Sequence, residues 1–179
     1  TNAGLVSGKA VCPGADEDMD LYRSELAGIY CIMVVMEKFC SFYSLSEGVI
    51  EIGCDGLSAL DSVFEKGDQL FHDVPSFDLV ASILKLRRKS CLTWQYRHVK
   101  GHQDQGSGPL DFWALGNILM DSRAKQHLSK AMTSPRHFSI KGEPWQIWLG
   151  NKKLTSKIQS HIYSRVHDVE GVQNWGAKP

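Results

Sequence analysis

The sequence lacks an excess of charge of either sign. Its 179 residues include 20 Lys and Arg and 20 Asp and Glu, so the formal net charge at pH 7 is zero. This balance argues against a protein that holds nucleic acid by bulk positive charge, as histones do, because such proteins are strongly basic. A balanced net charge does not exclude a local basic patch.

The sequence also lacks an unbroken apolar run of about 20 residues, the length that crosses a membrane. No basic-then-apolar signal peptide opens it. Its five cysteines are odd in number and no two have CxxC spacing, so neither a disulfide framework nor a zinc site is indicated. Buried free thiols in a reducing compartment are the simpler interpretation. We therefore expect an intracellular protein, in the cytoplasm or nucleus, with no membrane partner.

The composition is that of a folded domain. Apolar residues make up 42% and charged residues 22% of the chain, which is typical of globular proteins rather than disordered ones. The length indicates one domain with a short appendage. Because the pattern changes after Pro135, we divide the chain into a domain over residues 1–132 and a C-terminal extension over residues 133–179.

Strand-like and helix-like patterns alternate along the domain, which predicts an α/β fold. The predicted strands cover residues 4–12, 49–54 and 93–99. The predicted helices cover residues 21–43, 57–64 and 110–132, and a further helix is capped near Ser76 and ends at Lys89. In the extension we expect a hairpin within residues 137–148 and a helix over residues 153–167.

Three carboxylates lie on apolar faces or at a strand end. Glu25 shares the apolar side of the first long helix, and Asp121 lies on the apolar stripe of the last helix of the domain. Asp55 ends an apolar strand, at the edge where α/β sheets place ligands. Each acid alone is also explained by a salt bridge or a helix cap. Three such acids from three elements, with no matching buried cations, indicate a Mg²⁺ or Mn²⁺ site.

Four short motifs carry a family resemblance. They are Tyr22–Gly28 (YRSELAG), Cys54–Leu60 (CDGLSAL), His98–His102 (HVKGH) and Asn117–Asp121 (NILMD). In this order, over roughly residues 4–132, they resemble the motifs of type 1 ribonuclease H domains. The segments GHQD and LDFWALGNILMD are most similar to the sequences of domains encoded by retroelements and their domesticated relatives.

The resemblance implies a ribonuclease H-like mixed sheet flanked by helices. No residue of this sequence matches the family's first catalytic Asp, which sits on the central strand. The resemblance therefore implies that this strand is encoded before Thr1 and that the domain is N-terminally incomplete. Residues 7–12 would then be the third strand of the family's sheet. We expect the isolated chain to be less stable and poorly active.

The resemblance also implies a mechanism. Two Mg²⁺ ions about 4 Å apart, replaceable by Mn²⁺, would straddle the scissile phosphate of an RNA strand that is paired with DNA. By match, Glu25, Asp55 and Asp121 would be catalytic metal ligands. His102 would be catalytic by moving a proton or assisting product release. His98 and His102 can also be interpreted as a metal pair, although oxygen ligands suit Mg²⁺ better.

A basic stretch marks the expected substrate face. Six Lys and Arg and no acid occur from Lys85 to Lys100, and such a stretch can follow a nucleic-acid backbone. Arg87, Arg88 and Lys100, together with Asn117, are the expected contacts of the hybrid. The alternative is an ordinary solvated helix end.

Two functions remain open from the sequence. The first is a metal-dependent endonuclease that cuts the RNA strand of RNA–DNA hybrids and leaves 3′-hydroxyl and 5′-phosphate ends, with a reverse transcriptase segment of the same polyprotein as an expected partner. The second is a truncated, inactive module of the same fold with a binding or structural role. An Asp encoded upstream of Thr1 would separate them. A nuclease of related fold with another substrate finds no support in the motifs.

Overall fold

The computed structural model describes residues 7–14, 18–66, 74–131, 140, 142–144 and 146–170. Within these residues the architecture is mixed α/β with two small sheets, as the alternating pattern predicts. The helices are α1 (Leu21–Tyr43), α2 (Leu57–Leu60), α3 (Phe77–Lys89), α4 (Phe112–Ala131) and α5 (Ile158–Ser164). The strands are β1 (Val49–Cys54), β2 (Thr93–His98), β3 (Ile147–Leu149) and β4 (Lys152–Leu154). The remaining turns are π-helical at Asp61–Glu65 and Arg165–Glu170 and 3₁₀ at Gln103–Gln105.

Helix α1 begins where the sequence predicts, because Asp20 caps it. The Asp20 carboxylate accepts a hydrogen bond from the backbone N–H of Arg23 at 2.6 Å, which satisfies one of the open donors of the first turn. Spacings of three and four residues put Leu26, Ile29 and Met33 on one side of the helix. All three are buried in the core, whereas Ile32 and Phe39, which belong to the same predicted pattern, are exposed. The predicted apolar face is therefore confirmed in part.

Within the described part of the chain, α1 is the helix that is long and apolar enough to cross a membrane. Its qualifying window has a mean hydropathy of 1.5, and 28% of that window is buried. The observation rests on length and composition alone, and one such helix is weak evidence because the core helix of a globular protein passes the same test. Exposed apolar side chains on α1 include Ile32, Val35, Phe39 and Phe42. Because α1 also contains polar and charged residues, it has no unbroken apolar run of membrane-spanning length.

Strands β1 and β2 form a parallel pair with continuous register, from Val49 opposite Thr93 to Cys54 opposite His98. The chain passes through α2 and α3 between them, since parallel strands require a crossover. Side chains alternate along a strand, and Ile52 and Cys54 face inward, where they share one core with α1 and α3. The carboxyl ends of both strands therefore meet at one edge.

The strand predicted over residues 4–12 is not observed. No strand is formed by residues 7–12, and residues 1–6 lie outside the described residues. Residues 7–11 are exposed, and the carbonyl of Pro13 accepts a 2.7 Å hydrogen bond from Nε of Arg23. A strand requires a hydrogen-bonded neighbour, and among the described strands β1 pairs with β2 and β3 with β4.

The extension forms a hairpin and a helix, but later in the chain than predicted. Strands β3 and β4 pair in antiparallel orientation, and Gly150 has a φ of +61°, which lets the chain reverse between them. Because Lys153 belongs to β4, the helix starts at Ile158 rather than at residue 153. The predicted hairpin segment 137–148 lies only partly within the described residues.

The extension packs against the start of α3. Phe77 forms a small apolar cluster with Leu154 and Ile158, and its N–H donates to the carbonyl of Thr155 at 3.0 Å. Ser76 precedes α3 as predicted, but its side chain makes no capping hydrogen bond. The start of α3 is therefore held by the extension rather than by its own cap.

A buried ion pair joins α1, α3 and β4. The side chains of Arg23 and Asp78 are both 0% exposed, and two hydrogen bonds of 2.9 Å connect them. Lys153 adds a bond of 3.1 Å to Asp78 and pairs with Glu143 at 2.7 Å. No local sequence pattern predicts this pair, because its members are 55 positions apart.

Candidate metal centre

Two carboxylates meet at the carboxyl end of β1. Glu25 on α1 and Asp55, the residue after β1, each place an oxygen within 4.8 Å of the other and of the Cys54 sulfur. Glu25 is half-buried because it lies beside Leu26, at the margin of the buried face of α1. The structure thus brings together two of the three carboxylates that the sequence singles out.

Two glycines allow the backbone to approach these carboxylates. A Cβ atom at Gly56 would lie 2.7 Å from Cγ of Glu25, and one at Gly101 would lie 3.2 Å from Oδ2 of Asp55. A side chain at Gly56 would therefore force Glu25 to move. Gly101 belongs to the motif His98–His102, so the loop after β2 reaches the same edge. Both glycines belong to the sequence motifs, but the motifs alone do not predict this role.

Hydrogen bonds orient the two carboxylates. The Cys54 thiol donates to Oε2 of Glu25 at 2.9 Å, and the Asn117 side-chain amide donates to Oδ2 of Asp55 at 3.2 Å. Nε2 of His98 lies 3.2 Å from the backbone carbonyl oxygen of Asp55. Cys54 is the contributor that sequence reasoning missed. Its inward position beside Asp55 on an alternating strand is the signal that could have found it.

The electrostatics of the pair favour a cation. Burial raises the pKa of Glu25, the charges of Asp55 and Asp121 raise it further, and the bond from Cys54 opposes them. Burial, followed by the Glu25 carboxylate, raises the pKa of Cys54 to about 12, so the thiol keeps its proton and acts as a donor. A carboxylate crowded by other carboxylates is destabilised as an anion, and a nearby divalent cation reverses that effect. The oxygen donors fit Mg²⁺ or Mn²⁺.

Asp121 does not lie on a buried stripe, so that prediction is wrong. Its side chain is 49% exposed and forms an ion pair of 2.7 Å with Lys125. Helix α4 is buried near its start at Ala114, whereas Leu128, on the predicted apolar face, is 65% exposed. Among the described residues, Asp121 and Leu128 therefore face solvent rather than the core. Asp121 is still close enough to raise the pKa of Glu25, and its role as a third ligand stays a prediction.

The two histidines lie near the carboxylates without joining them. His102 is exposed and precedes the 3₁₀ turn with a φ of +53°. His98 is exposed and contacts backbone at Asp55. Among the described residues, the group of clustered metal-ligating atoms contains neither histidine, which does not support a histidine metal pair. A role for His102 in proton transfer stays a prediction.

The basic residues of the predicted substrate face differ in their surroundings. Arg87 donates to the carbonyl of Val63, and its guanidinium lies 5.8 Å from the centre of the Phe64 ring. It therefore holds α3 against the turn that follows α2, which favours the structural alternative for this residue. Arg88 and Lys100 are exposed, and their contact with nucleic acid stays a prediction.

Comparisons with known proteins supply no family for this chain. It matches no protein-family model, no curated protein and no solved structure. Its function is therefore inferred from the carboxylate pair, from the groups that orient the pair and from the motifs that contain them.

Proposed function

We propose that this chain is the core of a retroelement-derived, metal-dependent endonuclease of the ribonuclease H class, which hydrolyses the RNA strand of RNA–DNA hybrids. One observation carries the proposal. Glu25, Asp55, Gly101 and Asn117 come from four motifs that are far apart in sequence, and they gather at one end of β1. Motifs that matched by chance would have no reason to converge on one edge of a sheet.

The bonding of the two carboxylates supports a metal-binding role over a structural one. Glu25 accepts a hydrogen bond from the Cys54 thiol and Asp55 accepts one from the Asn117 amide, and the neighbouring Asp55 carboxyl group raises the pKa of Glu25. Partly buried carboxylates that serve only the fold commonly pair with Lys or Arg. We propose Glu25 and Asp55 as ligands of Mg²⁺, with Asp121 joining them when it exchanges Lys125 for metal. Two bound ions would activate the attacking water and stabilise the leaving 3′ oxygen, and Mn²⁺ would substitute.

The protein groups around the pair have separate tasks in this proposal. Cys54 orients Glu25, and Asn117 orients Asp55, each through the hydrogen bond described above. Orientation of this kind restricts the ligand to geometries that suit the ion. His102 follows Gly101, which touches Asp55. We propose that it moves a proton or assists product release from this exposed loop.

The substrate would lie across the exposed side of this edge. Lys100 follows β2 at this edge and is exposed, and Asn117 lies beside Asp55. Arg88 is also exposed, but it lies at the end of α3 that leads into the start of β2, toward the opposite end of the strands. Because the chain has no net charge, attraction for a nucleic acid would come from such local cations rather than from the whole molecule. We propose Lys100 and Asn117 as hybrid contacts at this edge.

We further propose that a segment encoded upstream of Thr1 completes a ribonuclease H-like fold. Among the described strands, β1 pairs with β2 along one edge, which leaves the other edge able to accept a strand. The resemblance assigns that place to the central strand with the first Asp. A reverse transcriptase segment of the same polyprotein is the proposed neighbour. The cysteines of the chain, all free, are consistent with a reducing intracellular compartment.

The proposal is tested by cleavage of a labelled RNA–DNA hybrid in Mg²⁺, using a longer chain that begins upstream of Thr1. Asp55→Asn should lower the cleavage rate at least ~100-fold because it removes a metal ligand. Glu47→Gln is the matched control, since Glu47 is exposed and precedes the opposite end of β1. It should leave the rate unchanged.

Three other outcomes would each change the assignment. Unchanged cleavage by the Asp55→Asn chain would remove Asp55 from the metal site. Cleavage of duplex DNA as well as the hybrid would assign another substrate. If the longer chain cleaves no hybrid in Mg²⁺ or Mn²⁺, the domain is the inactive module with a binding or structural role.

A further inference from the structure

Cys40 and Cys91 form a thiol pair outside the candidate metal centre. Cys40, on the last turn of α1, is 6% exposed, and Cys91, in the turn before β2, is exposed. Both side chains line the same cavity, and the neighbouring Cys91 thiol contributes to the raised pKa of Cys40. Leu45 connects the same two segments, because its N–H donates to the Cys40 carbonyl at 2.9 Å and its own carbonyl accepts from Cys91 at 3.4 Å. The pair is therefore held by backbone contacts on both sides.

A cavity gives small molecules access to this pair. Its volume is about 370 Å³, and Cys40 and Cys91 both line it. This volume lies within the range of small-molecule sites. Lys89, Ser44 and Ser90 also line it and offer donors for the carboxylates of a peptide, while Glu37 offers an acceptor for an amino group. The lining suits a short zwitterionic peptide that carries sulfur.

We propose that Cys40 and Cys91 are a site of reversible thiol–disulfide exchange with low-molecular-weight peptide disulfides such as oxidised glutathione, and that the product is a Cys40–Cys91 disulfide. Cys91, as its thiolate, bonds to one sulfur of the oxidant; the oxidant's S–S bond breaks and the first thiol leaves with a proton. Cys40 then loses its proton, bonds to the Cys91 sulfur and displaces the second thiol. Two electrons pass from the protein thiols to the oxidant.

The exposure of the two sulfurs sets the order of these steps. An attacking thiol must be accessible and must ionise. Cys91 is exposed, whereas burial and the neighbouring Cys91 thiol raise the pKa of Cys40. Cys91 is thus the point of attack and Cys40 resolves the mixed disulfide. The product links the end of α1 to the start of β2, and because the cysteines are about 50 residues apart, it restricts the unfolded chain strongly.

The test is oxidation of the full chain in a glutathione redox buffer, followed by alkylation and peptide mapping. Digestion with trypsin and a glutamate-specific protease releases residues 39–47 and 90–97, and so separates Cys40 from Cys54. We expect these two peptides to be joined, with a mass two hydrogens below their sum. Oxidation should also raise Tm by about 5 °C or more, and dithiothreitol should reverse the shift.

Two variants control the experiment. Cys91→Ser should abolish both the joined peptides and the Tm shift, and because Cys91 is exposed, serine there leaves the core intact even if Cys40→Ser fails to fold. Cys31→Ser, which changes another cysteine of α1, should retain both. Glutathione that persists on Cys91 without a Cys40 link, a link between other cysteines such as Cys12 and Cys31, or no reaction in any buffer ratio would overturn the proposal.

Discussion

At the scale of single residues, the candidate site concentrates negative charge that the fold does not neutralise. Burial and the carboxylates of Asp55 and Asp121 raise the pKa of Glu25. A carboxyl group whose folded pKa is raised contributes stability below its unfolded pKa, and that contribution is lost as the pH rises through the folded pKa. The ionised form of Glu25 therefore works against the metal-free fold, as perturbed groups at functional sites commonly do.

Replacing Glu25 with glutamine should reveal how much the charge of Glu25 destabilises the metal-free fold. Glu25→Gln keeps the shape and removes the charge, so in EDTA at pH 7 it should raise Tm by about 1–3 °C. It should also abolish the rise in Tm that Mg²⁺ or Mn²⁺ gives the unchanged chain. Thermal unfolding followed by circular dichroism measures both effects, with Glu47→Gln as the neutral control. An undiminished metal effect in Glu25→Gln would show that Glu25 is not a ligand.

At the scale of elements, one buried ion pair sets the rotation of α1. Arg23 binds Asp78 on α3, whereas Glu25, two positions further along α1, faces the end of β1. Residues two apart on a helix point to nearly opposite sides. Fixing Arg23 against α3 therefore also fixes the direction of Glu25, and the same Asp78 receives Lys153 of the extension. The metal-site geometry and the docking of the extension depend on one carboxylate.

Removing the charge of Asp78 should lower the stability of the fold. Asp78→Asn leaves the Arg23 guanidinium buried without its counter-charge, and it should lower the free energy of unfolding by about 3–5 kcal/mol. Glu51→Gln is the comparison, because it breaks the largely exposed pair of Glu51 with Arg97 and should cost less than about 1 kcal/mol. Urea denaturation measures both. Similar losses in the two variants would contradict a special role for the buried pair.

The same pair predicts how stability depends on pH. Burial by itself would raise the pKa of Asp78, but the bonds and charges of Arg23 and Lys153 outweigh it and hold the pKa below its usual range. A lowered folded pKa stabilises the fold above the unfolded value of about 3.9, and that stabilisation is lost as the pH falls through the folded pKa.

The free energy of unfolding should therefore fall steeply below about pH 4, and Asp78→Asn should flatten this dependence. Urea titrations between pH 3 and pH 6 compare the two chains. If both lose stability equally with acid, other carboxylates govern the acid response.

At the scale of the whole molecule, the central sheet is small for the helices that cover it. In the described residues it contains β1 and β2 alone, whereas independently stable sheets commonly have three or more strands. Residues 7–11, which the sequence predicts to belong to a strand, are exposed. Both features follow if the sheet is completed by chain encoded upstream.

A chain extended upstream of Thr1 should therefore be more stable as well as active. We expect its Tm to exceed that of the present chain by about 5 °C or more, because a strand added to β1 buries further apolar surface and pairs the open edge. Differential scanning calorimetry measures the difference. Asparagine in place of the upstream Asp should keep the gain in Tm and lose cleavage. Equal Tm values for the two chains would contradict a missing central strand.

The sequence predicted elements well where short-range signals define them. The apolar spacing from Leu21 predicts α1 with its observed bounds, and the apolar run at 49–54 predicts β1. The errors fall where an element depends on a distant partner. The strand at 7–12 has no partner among the described strands, and the part of α4 that carries Asp121 leaves that side chain 49% exposed.

The sequence by itself determined which acids, glycines and amides occur in the four motifs, and where most helices and strands begin and end. These properties depend on residues within one or two turns of each other. Only the tertiary structure decided that Glu25 meets Asp55 while Asp121 stays exposed, that Arg23 is buried against Asp78, and that Cys40 and Cys91 line one cavity. Each of these contacts depends on how one packed element is rotated and placed against another, and no local pattern encodes that placement.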